Sequence, residues 1–327
     1  MTIAVGDRLR LTDVGPNPGN ARAEFLSGLR EHPKRIAPKF LYDERGSRLF
    51  DRICELDEYY PTRTEGMILR QNIAEITAVC GARCLLVELG SGSSIKTRLL
   101  LDHLCDPVGY MPIDISRPHL LNASEQLAVD YPRLEILPVW ADYSQQLRLP
   151  TTARPPRRMV LFFPGSTIGN FKPDEAAMFL QTLAAWCRSG DRLIVGVDLV
   201  KDYDVLHAAY NDQHGVTAEF NLNLLRRAND EFGANFNLAN FSHEALFNAT
   251  WSRIEMRLVS RRDQAVEIAG EPIRFKCDER VVTEYSYKYT PAGFAALGAR
   301  SGWEVIAQWT DSRAWFGVFA LQLTRNT

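Results

Sequence analysis

The chain has 327 residues, 46% of them hydrophobic and 24% charged, which is enough for one large domain with an elaboration or for two. A formal net charge of −2, with acids and bases interspersed, excludes a surface built to grip nucleic acid or an anionic membrane. No stretch nears the roughly 18 apolar residues of a membrane span, the start lacks an apolar signal core, and the six cysteines and six histidines show neither C-x-x-C nor H-x-x-x-H spacing. The expectation is a cytoplasmic monomer with reduced thiols and no metal site.

Residues 1–62 carry no repeat and end in the charged and aromatic stretch PKFLYDERGSRLFDRICELDEYYPT. MILRQNIAEITAVC (67–80) then reads as an amphipathic helix, and CLLVEL (84–89) as a strand buried on both faces. TRLLLDHLC predicts a helix, VGYMPID a strand, PHLLNASEQLAVD a helix and LEILPVW a strand. RMVLFFPGS predicts a strand, DEAAMFLQTLAAWCRSG a helix stopped by Gly190, and RLIVGVDLV a strand. Strands alternating with helices predict a doubly wound α/β sheet. Between 201 and 288 the alternation gives way to polar and aromatic stretches such as NDEFGANFNLANFSHEALFN, which reads as an insertion. The end returns to a short helix (TPAGFAALGARSGW) and two strands, EVIAQWT and WFGVFALQL, close enough to form an antiparallel hairpin at the sheet edge. Five parallel strands closed by a helix and a hairpin resemble the class I methyltransferase layout.

The turn after CLLVEL identifies the ligand class. Counted from Gly90, a dinucleotide fingerprint G-x-G-x-x-G and a phosphate loop G-x-x-x-x-G-K-[ST] both fail at Ile95, where each requires glycine. Gly90 and Gly92 still allow close backbone approach, and a helix starting near Ser94 supplies N–H groups. The next strand ends in Asp114, whose carboxylate can accept from both hydroxyls of a ribose. MVLFFPGS offers no magnesium-binding acid, so a nucleoside without phosphates remains, S-adenosylmethionine being the usual one. Asp142 and Tyr143 follow the third strand, where they can hold adenine, and Lys96 can reach a methionine carboxylate. The structural alternatives are a solvated Lys96 and an Asp142 that caps a helix.

EYYPTRTE, VELGSGSSIKTR, GSTIGNF, DLVKD, AYND, GVTAEFN and TEYSYKY together resemble the L-histidine Nα-methyltransferases that make hercynine on the ergothioneine pathway. The resemblance runs from about Pro38 to the C-terminus. It implies a class I fold with a Rossmann-like seven-stranded sheet over 63–200 and 289–327, and an α+β substrate-binding domain over 1–62 and 201–288. Carried onto this chain, it assigns S-adenosylmethionine to Gly90, Lys96, Asp114, Asp142 and Tyr143. It assigns the amino acid, as L-histidine and its mono- and dimethyl intermediates, to Tyr59, Asn170, Tyr210, Glu284 and Ser286. Tyr42 and the Gly165 carbonyl are placed near the reacting amine, with Asn170 also among the catalytic residues.

These residue types suit the reaction. Displacement at a sulfonium needs the amine close and in line, and orientation can supply most of the acceleration. Tyr210 and Asn170 can fix the α-carboxylate, Glu284 and Ser286 can bond the imidazole nitrogens, and tyrosine faces tolerate a quaternary cation. Other readings stay open: Tyr59 as core, Asn170 as the cap of the helix near Pro173, methylation of another aromatic amino acid such as tryptophan, a non-catalytic S-adenosylmethionine-binding module, or a phosphotransferase on the near P-loop. The packing of Tyr285 and Tyr287 is not legible from the sequence.

Overall fold

The computed structural model describes residues 2–4, 9–15, 18–92 and 95–324. In chain order its strands are β1 (Thr2–Ala4), β2 (Arg10–Asp13), β3 (Cys84–Leu89), β4 (Gly109–Asp114), β5 (Glu135–Ile136), β6 (Val139–Trp140), β7 (Arg158–Phe163) and β8 (Arg192–Asp198). They continue as β9 (Phe241–Asn248), β10 (Arg253–Ser260), β11 (Gln264–Ile268), β12 (Glu271–Phe275), β13 (Arg280–Tyr287), β14 (Trp303–Thr310) and β15 (Phe316–Leu323). The helices are α1 (Pro18–Arg30), α2 (Glu44–Glu55), α3 (Tyr60–Gln71), α4 (Ile73–Cys80), α5 (Ile95–Leu101), α6 (Arg117–Asp130), α7 (Pro173–Trp186), α8 (Tyr203–Tyr210), α9 (Val216–Phe232) and α10 (Pro291–Arg300).

The chain divides into two compact units: Met1–Gly15, Pro61–Val200 and Lys288–Thr327 form one, and Pro16–Tyr60 with Lys201–Tyr287 the other. In the first, seven strands lie in the order β6-β4-β3-β7-β8-β15-β14. All neighbours are parallel up to β8, and β15 runs antiparallel between β8 and β14. This is the class I methyltransferase sheet. Of the hairpin, β14 alone lies at a sheet edge; β15 is inserted, because the return strand finds its second ladder on β8.

Strand alternation sorts the core into two layers. Leu85, Val87, Leu89, Leu161 and Phe163 face α7 and α10, while Leu86, Val160 and Phe162 face the layer holding Ile68, Ile76, Leu100 and Leu127. Burying each large apolar side chain contributes about 1.5–3 kcal/mol.

Three expectations are corrected. Residues before 62 were placed together in a substrate domain, but β2 pairs parallel with β6 through Thr12–Val139 and Asp13–Trp140, so Met1–Gly15 belongs with the large sheet. LEILPVW is two short strands, since Pro138 has no N–H for the ladder. The helix over 67–80 breaks at Asn72, whose amide donates to the Ile68 carbonyl at 2.8 Å, and its first part starts earlier, at Tyr60.

The second unit is α+β. A three-stranded antiparallel sheet, β13-β10-β9, packs on α8 and α9, and β11–β12 form a separate hairpin.

Candidate active site

β3 ends in the glycine turn at the topological switch point, flanked by β4 and β7. Gly90 has φ +74° and Gly92 φ +46°, values that L side chains rarely adopt. A methyl group on Gly90 would lie 3.8 Å from the Tyr143 ring, and one on Gly92 would meet nothing within 4 Å. The helix expected near Ser94 is α5, starting at Ile95; Ser94 itself lies outside the described residues.

Asp114 closes β4 and is 9% exposed. Its carboxylate accepts from the Ser116 N–H at 2.8 Å and the Gly92 N–H at 3.3 Å, which ties the end of β4 to the glycine turn. Burial pushes its carboxyl above the usual carboxylate range, and the two backbone donors oppose that shift. Asp142 does not cap a helix: its Oδ1 accepts from the Ser144 N–H (3.0 Å) and hydroxyl (2.5 Å) in a local turn. Tyr143 packs against Phe163 and Phe179. The Ser91 and Ser116 hydroxyls, both buried, have no partner among the described residues. Orphaned hydroxyls beside a carboxylate and an open glycine turn fit a ligand rich in hydroxyl, amine and carboxylate groups, as S-adenosylmethionine is.

Lys96 is not a solvated helix residue. Its ammonium pairs with Glu65 of α3 at 2.5 Å, and the same carboxylate, fully buried, accepts from the Gly165 N–H at 2.9 and 3.1 Å. Gly165 (φ +79°) and Ser166 (φ +60°) are consecutive left-handed residues. The loop is held there by the Asp198 N–H donating to Ser166 Oγ, Thr167 Oγ1 donating to the Pro164 carbonyl, and the Gly169 N–H donating to the Ser166 carbonyl. Asn170 ends the 3-10 turn Thr167–Asn170 and is not the cap of α7, which is Lys172, with the Glu175 carboxylate accepting from the Lys172 N–H.

The second unit gathers the other assigned residues. Rings of Tyr42, Phe50, Tyr59, Tyr210 and Phe220 meet edge-on or tilted at 5.6–6.3 Å between centroids. Burial, then Tyr210, Cys54, Tyr42 and Glu284 nearby, push the Tyr59 phenol well above its usual range, so it stays protonated. The Tyr210 hydroxyl donates to Ser286 Oγ at 2.8 Å. Glu284 and Ser286 are two apart on β13, hence on one face, and both are buried. Tyr285 and Tyr287 take the opposite face, where Arg253 lies 3.8 and 5.3 Å from their ring centroids. They therefore do not share the face of Glu284 and Ser286.

The surrounding strings have structural work. Asp43 caps α2 through the Gly46 N–H and accepts from Asn223 of α9, and the ring of its neighbour Tyr42 meets Phe50 of α2 and Phe220 of α9. Asp212 accepts from the Val216 and Thr217 N–H groups at the start of α9. His243 Nε2 donates to the Tyr210 carbonyl at 2.9 Å while its Nδ1 accepts from Asn221. Burial holds the His243 ring below its usual range, which favours this neutral tautomer.

The sequence reading assigned no role to Glu65, Glu88 or His243. Two signals were present. Glu88 is an acid inside an apolar strand, and it accepts from Thr97 and Tyr110; Gly196 is an isolated glycine in LIVGVD, and a methyl group there would lie 2.0 Å from Glu65 Oε1.

Comparison with known proteins gives the family of the chain. A histidine N-alpha-methyltransferase of Mycolicibacterium smegmatis is 43% identical over 303 residues, 91% of this chain and 93% of that one. Its Mycobacterium tuberculosis counterpart is 41% identical over 302 residues, with 91% and 93% covered. Ergothioneine biosynthesis protein 1 of Neurospora crassa is 31% identical over 302 residues, 89% of this chain but 34% of that longer protein. The model of the histidine-specific, S-adenosylmethionine-dependent methyltransferases matches residues 21–323, and the chain belongs to that family.

Proposed function

We propose that this protein methylates the α-amine of L-histidine three times with S-adenosylmethionine, giving hercynine for ergothioneine biosynthesis. The observation that carries this reading is identity above 40%, over nine-tenths of the chain, to histidine N-alpha-methyltransferases. Bound S-adenosylmethionine supplies an electrophilic methyl on its sulfonium. Asp114 accepts from the ribose hydroxyls, Lys96 pairs with the methionine carboxylate, Gly90 permits close backbone approach, and Asp142 with Tyr143 holds adenine. Tyr210 and Asn170 orient the histidine carboxylate; Glu284 and Ser286 hold the imidazole. Tyr59 serves the amino acid, and Tyr42 and the Gly165 carbonyl serve the reacting amine, which turns and is methylated again.

The unit formed by Pro16–Tyr60 and Lys201–Tyr287 supplies the amino-acid side of this reading, since Tyr42, Tyr59, Tyr210, Glu284 and Ser286 all fall in it. All six cysteines are free thiols, which supports a reducing compartment such as the cytoplasm. No described helix is long and apolar enough to cross a membrane. A monomer is expected; a dimer in sedimentation would correct that.

The test is incubation with S-adenosylmethionine and each proteinogenic amino acid, read by mass. Three successive methyl additions to histidine are expected. Tryptophan methylated in preference to histidine would overturn the substrate, and no product with any amino acid would favour a binding module.

A further inference from the structure

Glu65 contributes a charge where charge is costly. It lies on α3, fully buried, above β8, where Gly196 faces it: a methyl group on Gly196 would sit 2.0 Å from Oε1 and 2.9 Å from the carboxyl carbon. A bare glycine at this strand position leaves the space the carboxylate fills. Removing a carboxylate from water is costly unless its lone pairs are used, and here they are, by the Lys96 ammonium on one side and the Gly165 N–H on the other. The Lys96 ammonium is correspondingly close to the loop, 3.9 Å from where a Gly165 methyl group would be.

We infer that Glu65 is a positioning residue that couples the two halves of the reaction within this unit. Its Oε2 orients the Lys96 ammonium toward the cofactor carboxylate, and both oxygens accept from the Gly165 N–H and fix the left-handed turn whose carbonyl attends the amine. This rests on the cofactor role of Lys96 and the amine-side role of Gly165 proposed above. Glu65 touches neither substrate nor cofactor; it acts through those two residues.

The experiment compares Glu65→Gln, Glu65→Leu, Gly196→Ala, Lys96→Met and the Lys96→Met/Glu65→Gln pair in the full chain. Calorimetry reads S-adenosylmethionine affinity, single-turnover kinetics reads methyl transfer to histidine, and thermal melting checks folding. Glu65→Gln keeps an acceptor for the Gly165 N–H but loses the charge, so affinity should fall roughly tenfold or more. Gly196→Ala, which displaces the carboxylate without altering Lys96 or Gly165, should reproduce that loss. Glu65→Leu also removes the acceptor, so transfer should slow beyond the Gln variant while affinity falls no further.

The double variant separates positioning from a purely structural role. If Glu65 acts on the cofactor through Lys96, adding Glu65→Gln to Lys96→Met costs little further affinity. Multiplied losses overturn the inference, as does wild-type affinity in both Glu65→Gln and Gly196→Ala. If Lys96→Met itself leaves affinity intact, the cofactor role of Lys96 fails and the inference with it. If Lys96→Met weakens binding but Glu65→Gln does not, only the inference fails. Should Glu65→Leu not fold, the Gln and Gly196→Ala arms still decide.

Discussion

Asp114→Asn tests the ribose station with the least disturbance. A carboxylate offers about four acceptor sites, and two are used by the Ser116 and Gly92 N–H groups. About two remain for a vicinal diol. Asparagine keeps the oxygen that serves Ser116 but turns an NH2 toward Gly92 and the diol, so one charged acceptor is lost. That costs about 1.5–3 kcal/mol, or roughly 10- to 150-fold in Kd for S-adenosylmethionine. Asp114→Ala should lose more, because it also frees both turn N–H groups.

The raised carboxyl of Asp114 adds a pH signature. On the proposed ribose role the ionised form holds the diol, so affinity should be fully present above the raised pKa and lost as pH falls through it. Wild-type affinity should therefore weaken at mildly acidic pH, above the ordinary carboxylate range, and the Asn variant should lack this acid limb. Calorimetry across pH, with thermal melting as a control, provides both readings. Unchanged affinity in Asp114→Asn, or an acid limb that survives the substitution, would refute the ribose role.

Glu284→Ala should lower kcat/KM for histidine by roughly 10- to 100-fold, because an imidazole N–H loses its charged partner, with far less effect on cofactor affinity; histidine turnover that survives nearly intact would reopen the substrate assignment. Ser286→Ala should act in the same direction but less, although it also removes the acceptor of the Tyr210 hydroxyl. Methyl transfer should rise with pH when chemistry is rate-limiting, since only the neutral α-amine attacks and burial keeps Tyr59 protonated rather than basic; a flat profile counts against this. Burial pushes the Glu88 carboxyl from 4.5 to about 8, so the folded chain holds a proton that the unfolded chain releases. Its contribution is greatest below pH 4.5 and declines through about 8, by at most roughly 1.4 kcal/mol per pH unit. Urea melts of Glu88→Gln against wild type should therefore diverge in favour of the variant as pH rises through this window, and parallel curves would exclude a buried, protonated Glu88.

The sequence by itself determined the features that depend on local period and backbone freedom. Apolar runs separated by amphipathic segments specify the alternating core, Gly90 and Gly92 mark the turn, and Asp114 falls at a strand end. β13, which the sequence showed only as part of an insertion, puts Glu284 with Ser286 on one face and Tyr285 with Tyr287 on the other. Only the tertiary structure decided which face turns to which neighbours: Arg253 against the tyrosines, and Tyr210 against Ser286. It likewise decided that β2 joins the large sheet and that Lys96 and Gly165 meet through Glu65. Those partners are distant in the chain, and a hydrogen bond or ion pair between distant residues leaves no periodic trace in sequence. It is set by the packing that brings a glycine on one strand beneath a carboxylate on a helix.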